Sequence, residues 1–292
     1  MSSALRSALQ YWALPIPITL VLFGIALVYA RGWYHLWRTL PSVIPSSRLA
    51  AFLGGLLCVW IAAASPLSAL DDDLLMVHMA QHLLLMTVAA PLILWGAPAV
   101  TLLHGLPQTI VRGGLGPVLR WAPLQRVGHT LTHPVFGWLA GTAAVAGWHI
   151  PALFELALRS EHWHEVEHAC FFAAGLLFWW PIVQPWPSIA RWPEWSLPLY
   201  LFLATLPCDA LSAFLTFCDR VVYPSYMSAP RLFDLSALQD QQWAGTLMWV
   251  WVTFAYLVPA TSVTIRLLSP PMAARLERSR RTQNTRLRDP QS

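Results

Sequence analysis

Histidines four residues apart occur at two places in this sequence, and they are the residues best suited to chemistry. His78 and His82 form the first pair, and His164 and His168 form the second. Residues four apart lie on one face of an α-helix, so each pair can offer two imidazole nitrogens to one metal ion. Imidazole suits copper, zinc and iron. Two facing helices would therefore make one four-ligand metal site or two adjacent sites.

A fifth histidine, His149, lies in GWHIPALFELAL and is included among the predicted metal ligands. Ionisable groups inside a membrane are costly, so each one is a functional candidate. A single membrane histidine is nevertheless more often hydrogen-bonded to a neighbouring helix than bound to metal. Nearby amide, carboxylate and thioether groups can orient metal ligands, and a thioether also favours Cu(I). These supporting candidates are Gln81, Asp209, Asp240, Gln241 and Met248.

The second histidine pair also permits two other functions. The segment from His164 to His168 matches H-E-x-x-H, in which two histidines bind zinc and the glutamate, here Glu165, activates a water. His149 or Asp209 would then supply the third ligand, giving a zinc-dependent intramembrane hydrolase. The pattern is short and matches by chance, so this is the weaker alternative. Histidines from two helices can also ligate heme iron from both sides, as in a heme-binding membrane redox protein.

The composition is that of a membrane protein. Hydrophobic residues make up 57% of the 292 residues and charged residues 11%, with a mean hydropathy of +0.52; soluble domains carry about 25% charged residues. A helix needs about 20 apolar residues to cross a bilayer. The third apolar run contains Pro91 and Pro98 and is predicted to kink or end near Gly96. The predicted spans are 14–37, 49–69, 74–103, 132–157, 163–184, 196–218 and 243–267.

These runs predict an all-α, polytopic membrane bundle of about seven transmembrane helices. The transmembrane domain covers 1–268, and a basic cytoplasmic tail, predicted to be disordered, covers 269–292. All 18 basic residues are arginines. With the N-terminus outside, the positive-inside rule is satisfied, because the outer segments then hold only four of them. These four are Arg6, Arg159, Arg220 and Arg231.

The same orientation places the histidine pairs in the outer half of the bundle. The acidic run Asp71, Asp72 and Asp73 opens the third span on that side, and Asp240 opens the last. Carboxylates at an entrance can raise the local concentration of cations. No aromatic residues are interleaved in the basic tail, so nucleic-acid binding is not predicted.

Four segments, spread in order over residues 70–265, resemble the CtaG-type cytochrome c oxidase assembly factors found with caa-type oxidases. The most characteristic contains a histidine-bearing helix that leads into Ala-Pro-Leu and Gly-Ala-Pro. The segments are MVHMAQHLLLMTVAAPLILWGAP, HPVFGWLAGTAAVAGWHIPALFELAL, HWHEVEHACFFAAGLLFWWPIV and DQQWAGTLMWV. Together they are far more specific than one histidine pair.

The resemblance implies a non-enzymatic, multi-pass protein of the bacterial plasma membrane that helps cytochrome c oxidase to mature. It implies copper as the metal handled and the oxidase catalytic subunit as the partner, besides the lipid bilayer. Glu165 and Glu167 are interpreted as local to this sequence. The family motif falls on His78, Gln81, His82, His149, His164, His168, Asp240 and Gln241.

Overall fold

Helices account for the regular structure throughout the described part of the chain. The computed structural model describes residues 12–186, 188, 192–231 and 233–269. Within these ranges there is no β-strand, which confirms the predicted all-α bundle. Arg6, Arg191 and the predicted tail beyond Ser269 lie outside the described residues.

Eleven helices of the described residues position the site and are labelled in chain order. Three consecutive segments form α3, and short helical turns occupy 108–120. The helices are α1 (Ile16–Thr39), α2 (Ser46–Ala64), α3 (Leu75–Trp95), α4 (Pro98–Gly105), α5 (Ala122–Leu131), α6 (Pro134–Trp148), α7 (Pro151–Arg159), α8 (Glu161–Val183), α9 (Ser196–Phe217), α10 (Ser225–Ser228) and α11 (Ala237–Leu268).

Six of these helices are long and apolar enough to cross a membrane: α1, α2 with the turn after it, α3, α8, α9 and α11. Their outer faces carry large apolar side chains, and Phe23, Phe202 and Phe254 are each at least 60% exposed. Apolar patches of this extent are rare on soluble monomers and fit contact with lipid.

The predicted fourth span, 132–157, is split into α6 and α7 at His149. Pro151 begins α7, and a residue before proline avoids the helical region, as Ile150 does with its extended ψ of 123°. At 15 residues, α6 is shorter than the roughly 20 that cross a hydrocarbon core. It nevertheless runs antiparallel to α8, with Gly137 against Leu177, in the direction that a fourth span requires.

A π-helical segment, Leu84–Ala89, interrupts α3 just before Pro91. Within it the Ala90 N–H donates to the Leu85 carbonyl, five residues back. The Met86 carbonyl would need the N–H of Pro91, which proline lacks. The indole Nε1–H of Trp179 donates to that carbonyl instead, at 3.0 Å. A neighbouring helix thus satisfies the freed group, and α3 ends at Trp95 beside Gly96, as predicted.

Glycine lets α8 approach this π segment closely. A Cβ at Gly175 would lie 2.8 Å from the Met86 carbonyl oxygen and 2.9 Å from the Met86 Cα. Real Cβ atoms do not come this close to backbone. The absence of a side chain at Gly175 therefore sets the spacing between α3 and α8.

We expect Gly175→Ala to lower the free energy of unfolding by about 1–3 kcal/mol, the usual cost of overpacking. The thermal unfolding midpoint of the purified protein in detergent measures this loss. Gly24→Ala is the matched control, because a Cβ there meets nothing within 4 Å. Equal midpoints for the two variants would contradict the close approach of α3 and α8.

Candidate metal centre

The two histidine pairs occupy the same positions in their helices. His78 and His82 are the fourth and eighth residues of α3, and His164 and His168 are the fourth and eighth of α8. Both helices begin at the same end of the bundle and run in the same direction, so the pairs meet at one depth.

The four imidazoles form one contiguous group within two turns of the helix starts. Ring centroids lie 4.4 Å apart for His78 and His82, and 4.4 Å apart for His164 and His168. Between the helices, His78 is 5.2 Å from His164 and His82 is 5.3 Å from His168. The structure thus brings four of the five predicted ligands together.

Glu167 joins this group, although the sequence interpretation treated it as a local feature. Its side chain is fully buried. One carboxylate oxygen lies 3.6 Å from His78 Nε2 and the other 3.7 Å from His82 Nε2. A signal was present in the sequence: positions 164, 167 and 168 share a helix face by their i, i+3, i+4 spacing. Together, the four histidines and Glu167 are called the His/Glu cluster below.

Buried polar atoms of the His/Glu cluster have no hydrogen-bond partner among the described residues. The unpartnered atoms are both ring nitrogens of His78 and His82, Nε2 of His164 and of His168, and both carboxylate oxygens of Glu167. Burying such groups without partners is expensive, above all for a carboxylate. A cation bound between them would remove that cost.

The spacing of these atoms suits a metal ion. Donor atoms from His78, His82 and Glu167 all lie within 4.8 Å of one another. Two ligands at 2.0–2.2 Å from one tetrahedral ion are separated by about 3.4 Å, close to the two imidazole–carboxylate distances. The cluster therefore has the chemistry and the dimensions of a site for a first-row transition ion.

Asp71 and His164 mark the side on which the His/Glu cluster meets its surroundings. The His164 side chain is 20% exposed, and its Nε2 lies 3.8 Å from an Asp71 carboxylate oxygen. Burial and the neighbouring charge of Asp72 raise the pKa of Asp71 to about 7. The exposed carboxylate of Asp72 adds a negative electrostatic field on this side of the His/Glu cluster.

The connection between α9 and α11 covers the cluster with aromatic side chains. Tyr226 donates to the Asp71 carbonyl at 2.8 Å. Tyr223 donates to the His149 carbonyl at 3.3 Å and stacks on Phe154 at 3.9 Å, while Phe154 lies 5.0 Å from the His78 ring. These contacts shield the buried imidazoles from solvent.

His149 has partners outside the His/Glu cluster. Its Nδ1 donates to the Val145 carbonyl at 2.7 Å, and its Nε2 lies 3.3 Å from the sulfur of Met79. Met248, one of the supporting candidates, lines a cavity with both residues. Sequence spacing did not identify Met79 as the neighbour of His149, because the two come from different helices.

Asp240 and Gln241 anchor the backbone around the site. The Asp240 carboxylate accepts from the N–H groups of Leu75 and Met76, at 2.7 and 3.2 Å, and so caps the start of α3. The Gln241 amide accepts from Val222 N–H at 2.7 Å and donates to the Arg220 carbonyl at 3.0 Å. Both residues hold elements that carry or cover the cluster.

Gln81 and Asp209 are the remaining supporting candidates. The Gln81 amide is buried without a hydrogen-bond partner among the described residues, as is one oxygen of Asp209. Asp209 adjoins Cys208 on α9. In the described ranges it forms no hydrogen bond or ion pair with the predicted histidine ligands.

The positions of other groups do not favour the two alternative functions. Glu165, which an H-E-x-x-H hydrolase needs at its metal-bound water, is exposed. The cavity beside His82 and His149 has a volume of about 30 Å³. Pockets that hold drug-sized ligands or cofactors measure about 300–1,000 Å³, so this cavity has no room for heme; His78, His164 and His168 do not line it.

One protein family matches most of the chain. The cytochrome c oxidase caa3 assembly factor family (Caa3_CtaG) matches residues 27–269, which include every residue of the His/Glu cluster. This match confirms the family resemblance carried by the four sequence segments. No curated protein and no solved structure shows a significant match to the chain.

We expect Asp240→Ala to lower the free energy of unfolding by about 1–2 kcal/mol, because it removes the cap of α3. Asp240→Asn, which keeps one acceptor oxygen, should lose less. Thermal unfolding in detergent measures both. Asp219→Ala is the control, since that side chain is 93% exposed. A midpoint for Asp240→Ala equal to that of Asp219→Ala would argue against the cap.

Proposed function

The chain belongs to the cytochrome c oxidase caa3 assembly factor family, and from this premise we propose that it carries copper to the oxidase catalytic subunit. Copper is its cargo, and the His/Glu cluster is where it is held. The protein acts without catalysing a reaction, in the bacterial plasma membrane, with the cluster near the outer face.

The observation that carries this proposal is the set of unpartnered donors in the His/Glu cluster. Four imidazoles and one carboxylate converge in a buried position, and imidazole is a good copper ligand. The charge of Glu167 offsets that of the bound ion where the dielectric is low. Copper binding by these donors would offset the free-energy cost of burying them without hydrogen-bond partners.

The number of donors also suits a carrier better than a permanent site. Five donor groups exceed the four of a square-planar copper site. A bound ion can therefore exchange one ligand for another without leaving the group. His164, the partly exposed member, would be the last ligand before release to a partner at this end of the bundle.

We expect His164→Ala/His168→Ala to lower the copper affinity of the His/Glu cluster at least tenfold, because the cluster then keeps only three donors. Equilibrium titration with competing chelators measures this. His162→Ala is a matched control: it removes an exposed histidine from the same helix. If the double variant and the control bind copper equally, the cluster is not the copper site.

Deletion of the gene tests the role in assembly. We expect lower cytochrome c oxidase activity and less copper in membranes, partly restored by adding copper to the medium. The His162→Ala protein should complement the deletion, and the His164→Ala/His168→Ala protein should not. Full complementation by the double variant would exclude copper transfer through the cluster.

A further inference from the structure

A second group of metal-binding side chains surrounds a cavity deeper in the bundle. The cavity has a volume of about 30 Å³, enough for one small ion. Three of the seven methionines of the chain line it, with one cysteine and two histidines. These residues, all buried, are Met79, Met86, Met248, Cys208, His82 and His149.

An ion bound between His149 and Met79 would make their contact favourable. A carbonyl oxygen only accepts hydrogen bonds, so the Nδ1 of His149 carries the proton that it donates to Val145. In the neutral ring, Nε2 then has a lone pair and no proton. That lone pair faces the Met79 sulfur, itself an acceptor, at 3.3 Å. Two electron-pair donors face each other in a buried position.

The same distance suits two ligands of one ion. A first-row ion about 2.0 Å from nitrogen and about 2.3 Å from sulfur would bind these atoms at an angle of roughly 100°. His149 is also held in place, because its carbonyl accepts from Tyr223 and Pro151 starts the next helix directly after Ile150. The pair is thus positioned before any ion arrives.

The donors around the cavity select for a soft ion of low charge. Thioethers and thiols favour Cu(I) over harder ions. Among the described residues, no carboxylate lines the cavity. Neutral ligands in a low-dielectric interior offset little charge, so a monovalent ion is less costly to bury there than a divalent one.

We propose that this cavity is a second metal site, selective for Cu(I), in which His149 Nε2 and Met79 Sδ are ligands and Met248 or Cys208 supplies a third. Its proposed ligands are not members of the His/Glu cluster, so the site does not depend on that cluster binding metal. His82 contacts both, because it faces Glu167 and also lines the cavity.

Met79→Leu tests the site, since leucine nearly keeps the volume of methionine and removes the sulfur. Met79→Leu and its control are both made in the full-length His164→Ala/His168→Ala protein, so that copper in the cluster does not mask the cavity, and we expect Met79→Leu to weaken Cu(I) binding there at least tenfold. Anaerobic titration against a chromophoric chelator measures this, with Ag(I) as a redox-inert second probe. The matched control is Met227→Leu, which changes a methionine that is 57% exposed. Equal Cu(I) affinities for the two variants would overturn the proposal.

X-ray absorption decides the question even if Met79→Leu does not fold. The His164→Ala/His168→Ala protein, loaded with one equivalent of Cu(I), should show sulfur in the first coordination sphere at about 2.3 Å. A spectrum with nitrogen and oxygen ligands alone would overturn the second site. The two proposals can fail independently. If the cluster binds no copper, the sulfur signal from the cavity should still appear. If the cavity binds none, His164→Ala/His168→Ala should still weaken copper binding.

Discussion

Unpaired polar groups buried in an apolar bundle are the constraint on which the rest of this structure depends. The His/Glu cluster concentrates imidazole and carboxylate atoms where water is excluded and where no described protein group completes their hydrogen bonds. Such an arrangement is costly unless a bound ion completes it. The surrounding structure therefore has to keep the donors close together and prevent them from turning towards other partners.

The packing of α3 and α8 provides that rigidity. Gly175 lets the two helices approach at the Met86 backbone, and Trp179 satisfies the carbonyl that the π segment and Pro91 leave free. At the other end, Asp240 on α11 caps the first turn of α3. Each contact fixes α3 relative to a neighbour, and α3 carries donor groups of both the cluster and the deeper cavity.

The two groups of donors differ in chemistry as well as in depth. The cluster near the helix starts offers nitrogen and oxygen, and its His164 reaches the surroundings beside Asp71. The cavity farther in offers mainly sulfur, with His149 as a nitrogen donor. His82 lies between them. For the proposed copper carrier, this difference means that ions of different hardness and charge would be favoured at different points of one interior.

The sequence by itself determined the class of fold, the position of most helices and the pairing of histidines on single helix faces, because these follow from local periodicity and apolar length. It also predicted the break near Gly96 from two prolines. Only the tertiary structure decided that Glu167 lies between His78 and His82, that His149 faces Met79, and that Asp240 caps α3. These contacts join residues from different helices, and which faces of separate helices meet depends on lateral packing, which the periodicity of one segment does not specify. The split of the predicted fourth span at His149 follows locally from Pro151, whereas contacts with α8 and with Tyr223 decide where its two parts lie.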